Sequence, residues 1–119
     1  MNTKHKGNAG EDKAANYLAE KGWTIIERNF RSKRAEIDII ALKGQTLAFI
    51  EVKTMPAGSP EDIPLLINST KQGRIISAAK FFLLGNWHYR HCRIRFDAII
   101  VDMPALGPIY HIENAFGEY

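Results

Sequence analysis

Residues 35–53, AEIDIIALKGQTLAFIEVK, admit few folds. Read with a period of two, the stretch divides into two apolar segments, Glu36–Lys43 and Thr46–Lys53, on either side of Gly44-Gln45. That pattern predicts a β-hairpin with glycine at the first central position of a tight turn. Alternation puts Glu36, Asp38 and Ile40 on one face of the first strand, and Leu47, Phe49, Glu51 and Lys53 on one face of the second. A two-residue turn pairs Lys43 with Thr46, and therefore Asp38 with Glu51 and Glu36 with Lys53. A turn at Lys43-Gly44 moves the pairing by two and still leaves all four polar residues on one face.

Opposed residues on one face of a hairpin have Cβ atoms about 4.5–5.5 Å apart. Two carboxylates at that separation repel, and neighbours such as Ile, Ala, Leu and Phe offer them little water. A divalent cation between them relieves the repulsion, because Mg²⁺ is held through one or two carboxylates together with waters and substrate phosphates. Lys53 would then stand beside the cation as a positive donor. The plainer reading of Glu51-Val52-Lys53 is a same-face salt bridge on a solvated strand, worth ~0–1 kcal/mol. The apolar surroundings LAFIEV and EIDIIA weigh against a solvated strand. From the residues alone, both readings stand.

The rest of the chain sets the frame. At 119 residues it is expected to form one domain with one core, residues 1–7 being a basic, mobile tail. No apolar run approaches the ~18–20 residues of a membrane span, and MNTKHKGNAGED lacks the apolar centre of a secretory signal. Cys92 is the single cysteine, which excludes an internal disulfide and fits a reducing cytoplasm. A formal charge of +3 permits a nucleic-acid partner without requiring one.

Asn8 and Glu11 form a variant capping box for a helix running to about Lys21 and closed by Gly22. The inward stripe of that helix is Ala14, Ala15 and Leu18, with Glu11 on the same stripe, where it either caps the helix or belongs to a site. Trp23–Glu27 reads as a strand and Asn29–Arg34 as a basic loop. The segment from Thr54 to Pro64, with Pro56, Pro60 and Pro64, reads as a mobile loop. A second helix runs from Asn68 or Ser69 to Leu84, closed by Gly85, with Ser69 and Gln72 as its capping box and Ile75, Ile76, Ala79, Phe82 and Leu83 as its core stripe. Gln72 extends that stripe, whereas Arg74 and Lys80 point elsewhere. HCRIRFDAIIVD reads as a strand with a buried second half, PIYHI as an edge strand and ENAF as a closing turn. The order αβββαβ predicts an α/β fold, a mixed central sheet flanked by helices.

In order along the chain, GEDKAANYLAEKGW, AEIDIIA, FIEVKT, KQGRIISAAKFFL, RFDAIIVD and HIENAF resemble the bacterial YraN-like family. The spacing of Asp38, Glu51 and Lys53, following a helix that bears Glu11, is similar to the PD-(D/E)XK nuclease superfamily and to archaeal Holliday-junction resolvases. This resemblance spans roughly Gly7 to Phe116. It implies a restriction-endonuclease-like fold and a cation, Mg²⁺ or Mn²⁺, on Asp38, Glu51 and the carbonyl of Val52. Lys53 would orient water and stabilise charge on a phosphate. Glu11 would be an additional acidic metal ligand, and Gln72 a polar helix residue facing the site. Two positions depart from the pattern. Ile37 stands where the superfamily has Pro, and Ala35 where the family has Gly, so the Arg31–Ala35 loop is less free to adopt positive φ.

Around such a site the basic residues fall into groups where a phosphate backbone would lie. They are Arg28, Arg31, Lys33 and Arg34 before the hairpin, Lys71 and Arg74 at the start of the second helix, and Arg90, Arg93 and Arg95 at the next strand. His5, His88, His91 and His111 are scattered, and none shares metal-ligand spacing with a Cys or a carboxylate. Cys92 reads as a core or surface thiol rather than a nucleophile. The expectation is therefore a Mg²⁺-dependent phosphodiesterase acting on nucleic acid, with DNA as the expected substrate. It would select branched, flapped or single-stranded structure, and two-site cutting would require a homodimer. The rival is a catalytically silent nucleic-acid-binding or assembly protein on the same fold.

Overall fold

The structure, a computed structural model, describes residues 9–33 and 35–117. The tail at residues 1–7, the cap assigned to Asn8, His5 and Arg34 lie outside the described residues. Helix α1 (Ala9–Glu20) is followed by strands β1 (Thr24–Arg31), β2 (Glu36–Lys43) and β3 (Thr46–Thr54). A short helix α2 (Ile63–Leu66) and the long helix α3 (Ser69–Gly85) lead into β4 (Arg93–Met103) and β5 (Gly107–Phe116). The five strands form one mixed sheet in chain order, with β3 and β4 parallel and every other pair antiparallel.

The hairpin has the predicted register. Lys43 pairs with Thr46 and the ladder runs to Ile39–Ile50, with Gly44 at φ 59 in the turn. One face of the sheet buries Ile39, Ala41, Ala48, Ile50, Ile99 and Val101 under Ala14, Ala15 and Leu18 of α1. The other buries Ile40, Leu47, Phe49 and Phe96 under Ile75, Ala78, Ala79 and Phe82 of α3. Alternation along β3 thus sends Glu51 and Lys53 to the α3 face, while helix α1 sits tight on the opposite face. A methyl group added at Gly10 would land on the Thr54 hydroxyl.

Several local expectations are corrected. Strand β1 extends to Arg31, so Asn29, Phe30 and Arg31 are strand residues rather than loop residues. ENAF continues β5 instead of turning, because Asn114 takes a left-handed conformation (φ 53) and its N–H is held by Asp97. Asn68, not Ser69, caps α3, its side chain accepting from the Lys71 N–H at 3.0 Å. The Thr54–Pro64 segment is partly ordered as a turn and a single-turn 3₁₀ helix, Pro60–Asp62.

Candidate active site

Beyond Ile39–Ile50 the β2–β3 ladder ends, and a side chain replaces the next backbone bond: the Val52 N–H donates to Asp38 Oδ2 at 2.8 Å. Asp38 is thereby fixed at the mouth of the gap where β2 and β3 part, with Glu51 beside it and only 7% exposed. Burial, and then the negative charge of Glu51, push the Asp38 carboxyl up to about 7. The chain has put two acids where water cannot solvate both.

Two ammonium groups answer Glu51. Lys71 Nζ lies 3.2 Å and Lys53 Nζ 3.6 Å from its Oε1. Burial pulls Lys53 down, but a hydrogen bond with Lys71 and the charges of Glu51 and Asp38 outweigh it, leaving Lys53 above the ordinary lysine value. Burial and the neighbouring Lys53 pull Lys71 below that value despite Glu51. Asp38, Glu51, Lys53, Lys71 and Arg74 line an open cleft of about 740 Å³ together with Glu36, Asn68 and Thr70. Arg74, off the core stripe, lines the same cleft as the acids.

Glu11 takes a different position from the one expected of a ligand. It is 7% exposed on the α1 face, where Arg28 Nε donates to its Oε1 at 3.2 Å, and it does not line the cleft. Burial raises the Glu11 pKa against the opposing pull of Arg28 and Asn29, and the Glu11 charge in turn helps to raise Asp38. Sequence reasoning missed Asn29. It occupies the left-handed region (φ 56) between Arg28 and Phe30, at the register position facing Asp38. The kink lets Arg28 reach Glu11 and Asp12 on α1 while Phe30 packs edge-on against Phe82 of α3. Asn is among the few residues that tolerate such a φ.

Gln72 does not face the site. Its amide donates to the Ile67 carbonyl at 3.1 Å, binding α3 to the preceding turn. Arg31 lies beside the cleft, pairing with Glu36 at 2.9 Å, and Lys33 is exposed in the following loop. Arg93 and Arg95 do not flank the acids. They sit at the start of β4, level with Thr46 and Ala48, five and three residues along β3 from Glu51 and so roughly 17 and 10 Å away. Arg95 is held there by Asp97, a fully buried acid that its RFDAII context disguised as one polar step in an alternating strand. Asp97 also accepts from His111 Nε2 at 2.7 Å, so His111 does have a carboxylate partner, through space rather than spacing. Cys92 is half-buried against the α3-side core.

Among the described residues no three His, Cys, Asp or Glu side chains converge as a metal cluster. The donor set that fits a cation is smaller: a half-buried and a buried carboxylate, the first driven toward protonation by burial and then by the charge of the second. Such a pair suits a hard cation that completes its shell with water and phosphate oxygens.

A family model described as "Uncharacterised protein family UPF0102" matches residues 10–101. A UPF0102 protein of Treponema denticola is 42% identical over 123 residues, covering 94% of this chain and 95% of the relative. The UPF0102 protein of Caldicellulosiruptor saccharolyticus is 38% identical over 122 residues, covering 98% and 100%. That of Persephonella marina is 41% identical over 114 residues, covering 93% and 92%.

Proposed function

The chain belongs to the UPF0102 family, the YraN-like proteins of the PD-(D/E)XK type, and on that premise we propose that it is a metal-dependent phosphodiesterase that cuts DNA. The observation that carries this reading is the pair of half-buried Asp38 and buried Glu51 at the parting of β2 and β3, with the Asp38 carboxyl raised to about 7 and two lysines on Glu51. A purely structural acid pair would be better replaced by apolar residues, since burying charge without full compensation destabilises a fold. Mg²⁺ or Mn²⁺ held by Asp38, Glu51 and the Val52 carbonyl would supply Lewis-acid polarisation of the phosphate and a water of lowered pKa. A strand residue points its C=O to the same neighbour as its N–H, so the Val52 carbonyl faces the gap that Asp38 closes.

The remaining work falls to the chain itself. Asp38 is oriented by the Val52 N–H and Glu51 by Lys71. Lys53, kept protonated by the two acids, offers N–H donors to a phosphate oxygen as negative charge grows on it. Arg74 and Arg31 at the cleft edge hold the flanking phosphates, contacts that position a backbone without reading its bases. A broad cleft without a helix offered for the major groove favours branched, flapped or single-stranded DNA over one sequence in plain duplex. Glu11 acts from outside the cleft, through its charge on Asp38.

The test is a panel of end-labelled linear, flapped and four-way DNAs, plus a structured RNA, incubated with Mg²⁺ or Mn²⁺. Asp38→Asn and Glu51→Gln proteins purified identically control for contaminating nuclease. Cutting of branched or flapped DNA by the natural chain alone is expected. Cutting at one defined sequence in plain duplex would refute structure selectivity, and tight binding without any cutting would establish the silent binding protein instead.

A further inference from the structure

At the other end of the sheet, on the α1 face, lies a second pocket of about 360 Å³ lined by Tyr17, Lys21, Trp23, Lys43, Thr46, Arg95, His111 and Glu113. It is separate from the acidic cleft: Thr46 and Glu51 are five residues apart on β3, roughly 17 Å. Its walls are built rather than incidental. Fully buried Asp97 takes the Arg95 guanidinium through two hydrogen bonds of 2.9 Å and the His111 Nε2–H at 2.7 Å. With Nε2–H committed to that carboxylate, Nδ1 meets the Tyr17 hydroxyl, 3.1 Å away. Burial, and then Glu113 and Asp97, raise the Tyr17 phenol, so it stays a donor.

The cations of this pocket are the unusual part. Lys43 Nζ stands 6.0 Å over the ring of Trp23 and Lys21 Nζ 5.9 Å over that of Tyr17. Among the described residues neither ammonium is paired with a carboxylate. Lys43 lies over Gly22 (φ 93), its Cε 3.6 Å from where a Cβ would stand, an ordinary van der Waals contact. Arg95 adds a third cation over Trp23 at 5.3 Å. Among the described residues the single carboxylate lining the pocket is Glu113, 64% exposed and 3.1 Å from Arg95. Three cations face one solvent-exposed acid, with Asp97 neutralising Arg95 from behind. A multiply charged anion entering here would meet two unpaired ammonium groups and displace a loosely held carboxylate from the guanidinium.

We propose that this pocket binds a phosphate monoester, either a free sugar phosphate or the terminal phosphate of a nucleic-acid strand, through Lys21, Lys43 and Arg95. A dianion suits it because the pocket holds more positive charge than one carboxylate can satisfy, and the Thr46 hydroxyl supplies a neutral donor. The proposal is independent of the chemistry assigned to the acidic cleft.

The reporter is built in. Trp23 and Trp87 are the two tryptophans, so in a Trp87→Phe protein the indole under Lys43 and Arg95 is the only one. Titration with ribose 5-phosphate is expected to change its fluorescence saturably at millimolar concentrations, while ribose and ionic-strength-matched chloride do not. Lys21→Ala/Lys43→Ala should weaken binding by at least about tenfold, Glu113→Gln should tighten it, and Asp38→Asn should leave it unchanged. The lysines are at the surface, so a thermal melt verifies that the double variant folds. Anisotropy with 5′-phosphorylated and 5′-hydroxyl oligonucleotides separates the sources: preference for the phosphorylated strand assigns the pocket to strand ends, and equal binding assigns it to small sugar phosphates. No saturable change with ribose 5-phosphate, or the same change in the double-lysine variant, overturns the proposal.

Discussion

Replacing Asp38 by Asn should stabilise this protein, with an effect that is absent near pH 4, grows as pH rises and is complete above about pH 7. The Asp38 carboxyl moves from an ordinary 3.8 to about 7 on folding, chiefly through burial and then through Glu51. Between those values the folded state binds more protons than the unfolded state, so stability falls as pH rises through the window. At about 1.36 kcal/mol for each pH unit, the metal-free protein carries as much as roughly 4 kcal/mol of strain above pH 7 and none near pH 4. The substituted amide keeps an oxygen for the Val52 N–H and removes the charge. Urea denaturation in the presence of a chelator, at pH 4, 6 and 8, checks this. The natural chain should lose stability across the series, and Asp38→Asn should gain on it progressively, with equal stability at pH 4. Adding Mn²⁺ at pH 8 should restore the natural chain, by about 2.7 kcal/mol at a hundredfold excess over Kd, and leave the variant unmoved. An Asp38→Asn protein less stable at pH 8, or a difference independent of pH, would refute the account of the site as a strained acid pair.

Lys53→Met should keep the fold and most nucleic-acid affinity while abolishing cleavage, as read in parallel gel-shift and nuclease assays. Asp97→Ala should cost about 3–5 kcal/mol in urea denaturation, because it strands Arg95 and His111 without their buried partner. Burial works against the Asp97 carboxylate, but His111 and Arg95 hold its pKa below the ordinary value. Its contribution is therefore present above the usual carboxylate range and lost as pH falls through the lowered folded value. Phe82→Ala should cost about 3–5 kcal/mol in the same measurement, since a ring 2% exposed between Phe30, Phe49 and Tyr89 leaves a cavity. Replacing Arg31 and Arg74 together should flatten the log–log salt dependence of duplex affinity by roughly 1.8, at about 0.9 for each phosphate that is no longer neutralised.

The hairpin is legible in the sequence because its information is local. A period of two, a glycine at the turn and a two-residue loop determine the register, and the register brings Asp38 to Glu51 without reference to any other element. The same holds for the inward stripes of α1 and α3, which are set by residues three and four apart. What lies between elements is not legible. No spacing tells that β1 kinks at Asn29, that Arg28 reaches back to Glu11, or that Lys71 rather than Gln72 turns toward Glu51. A place on an apolar stripe points Gln72 at the site, and the structure commits its amide to the Ile67 carbonyl instead. Asp97 and His111 are fourteen residues apart on neighbouring strands, and they meet only because β5 pairs antiparallel with β4. Arg95 reads as a companion of the acids because its strand is the parallel neighbour of β3. Tertiary structure places it at the opposite end, since parallel strands start together and Glu51 lies at the far end of β3. Periodicity along one chain determines faces and registers, whereas burial, charge compensation and the contacts across elements depend on how the layers meet.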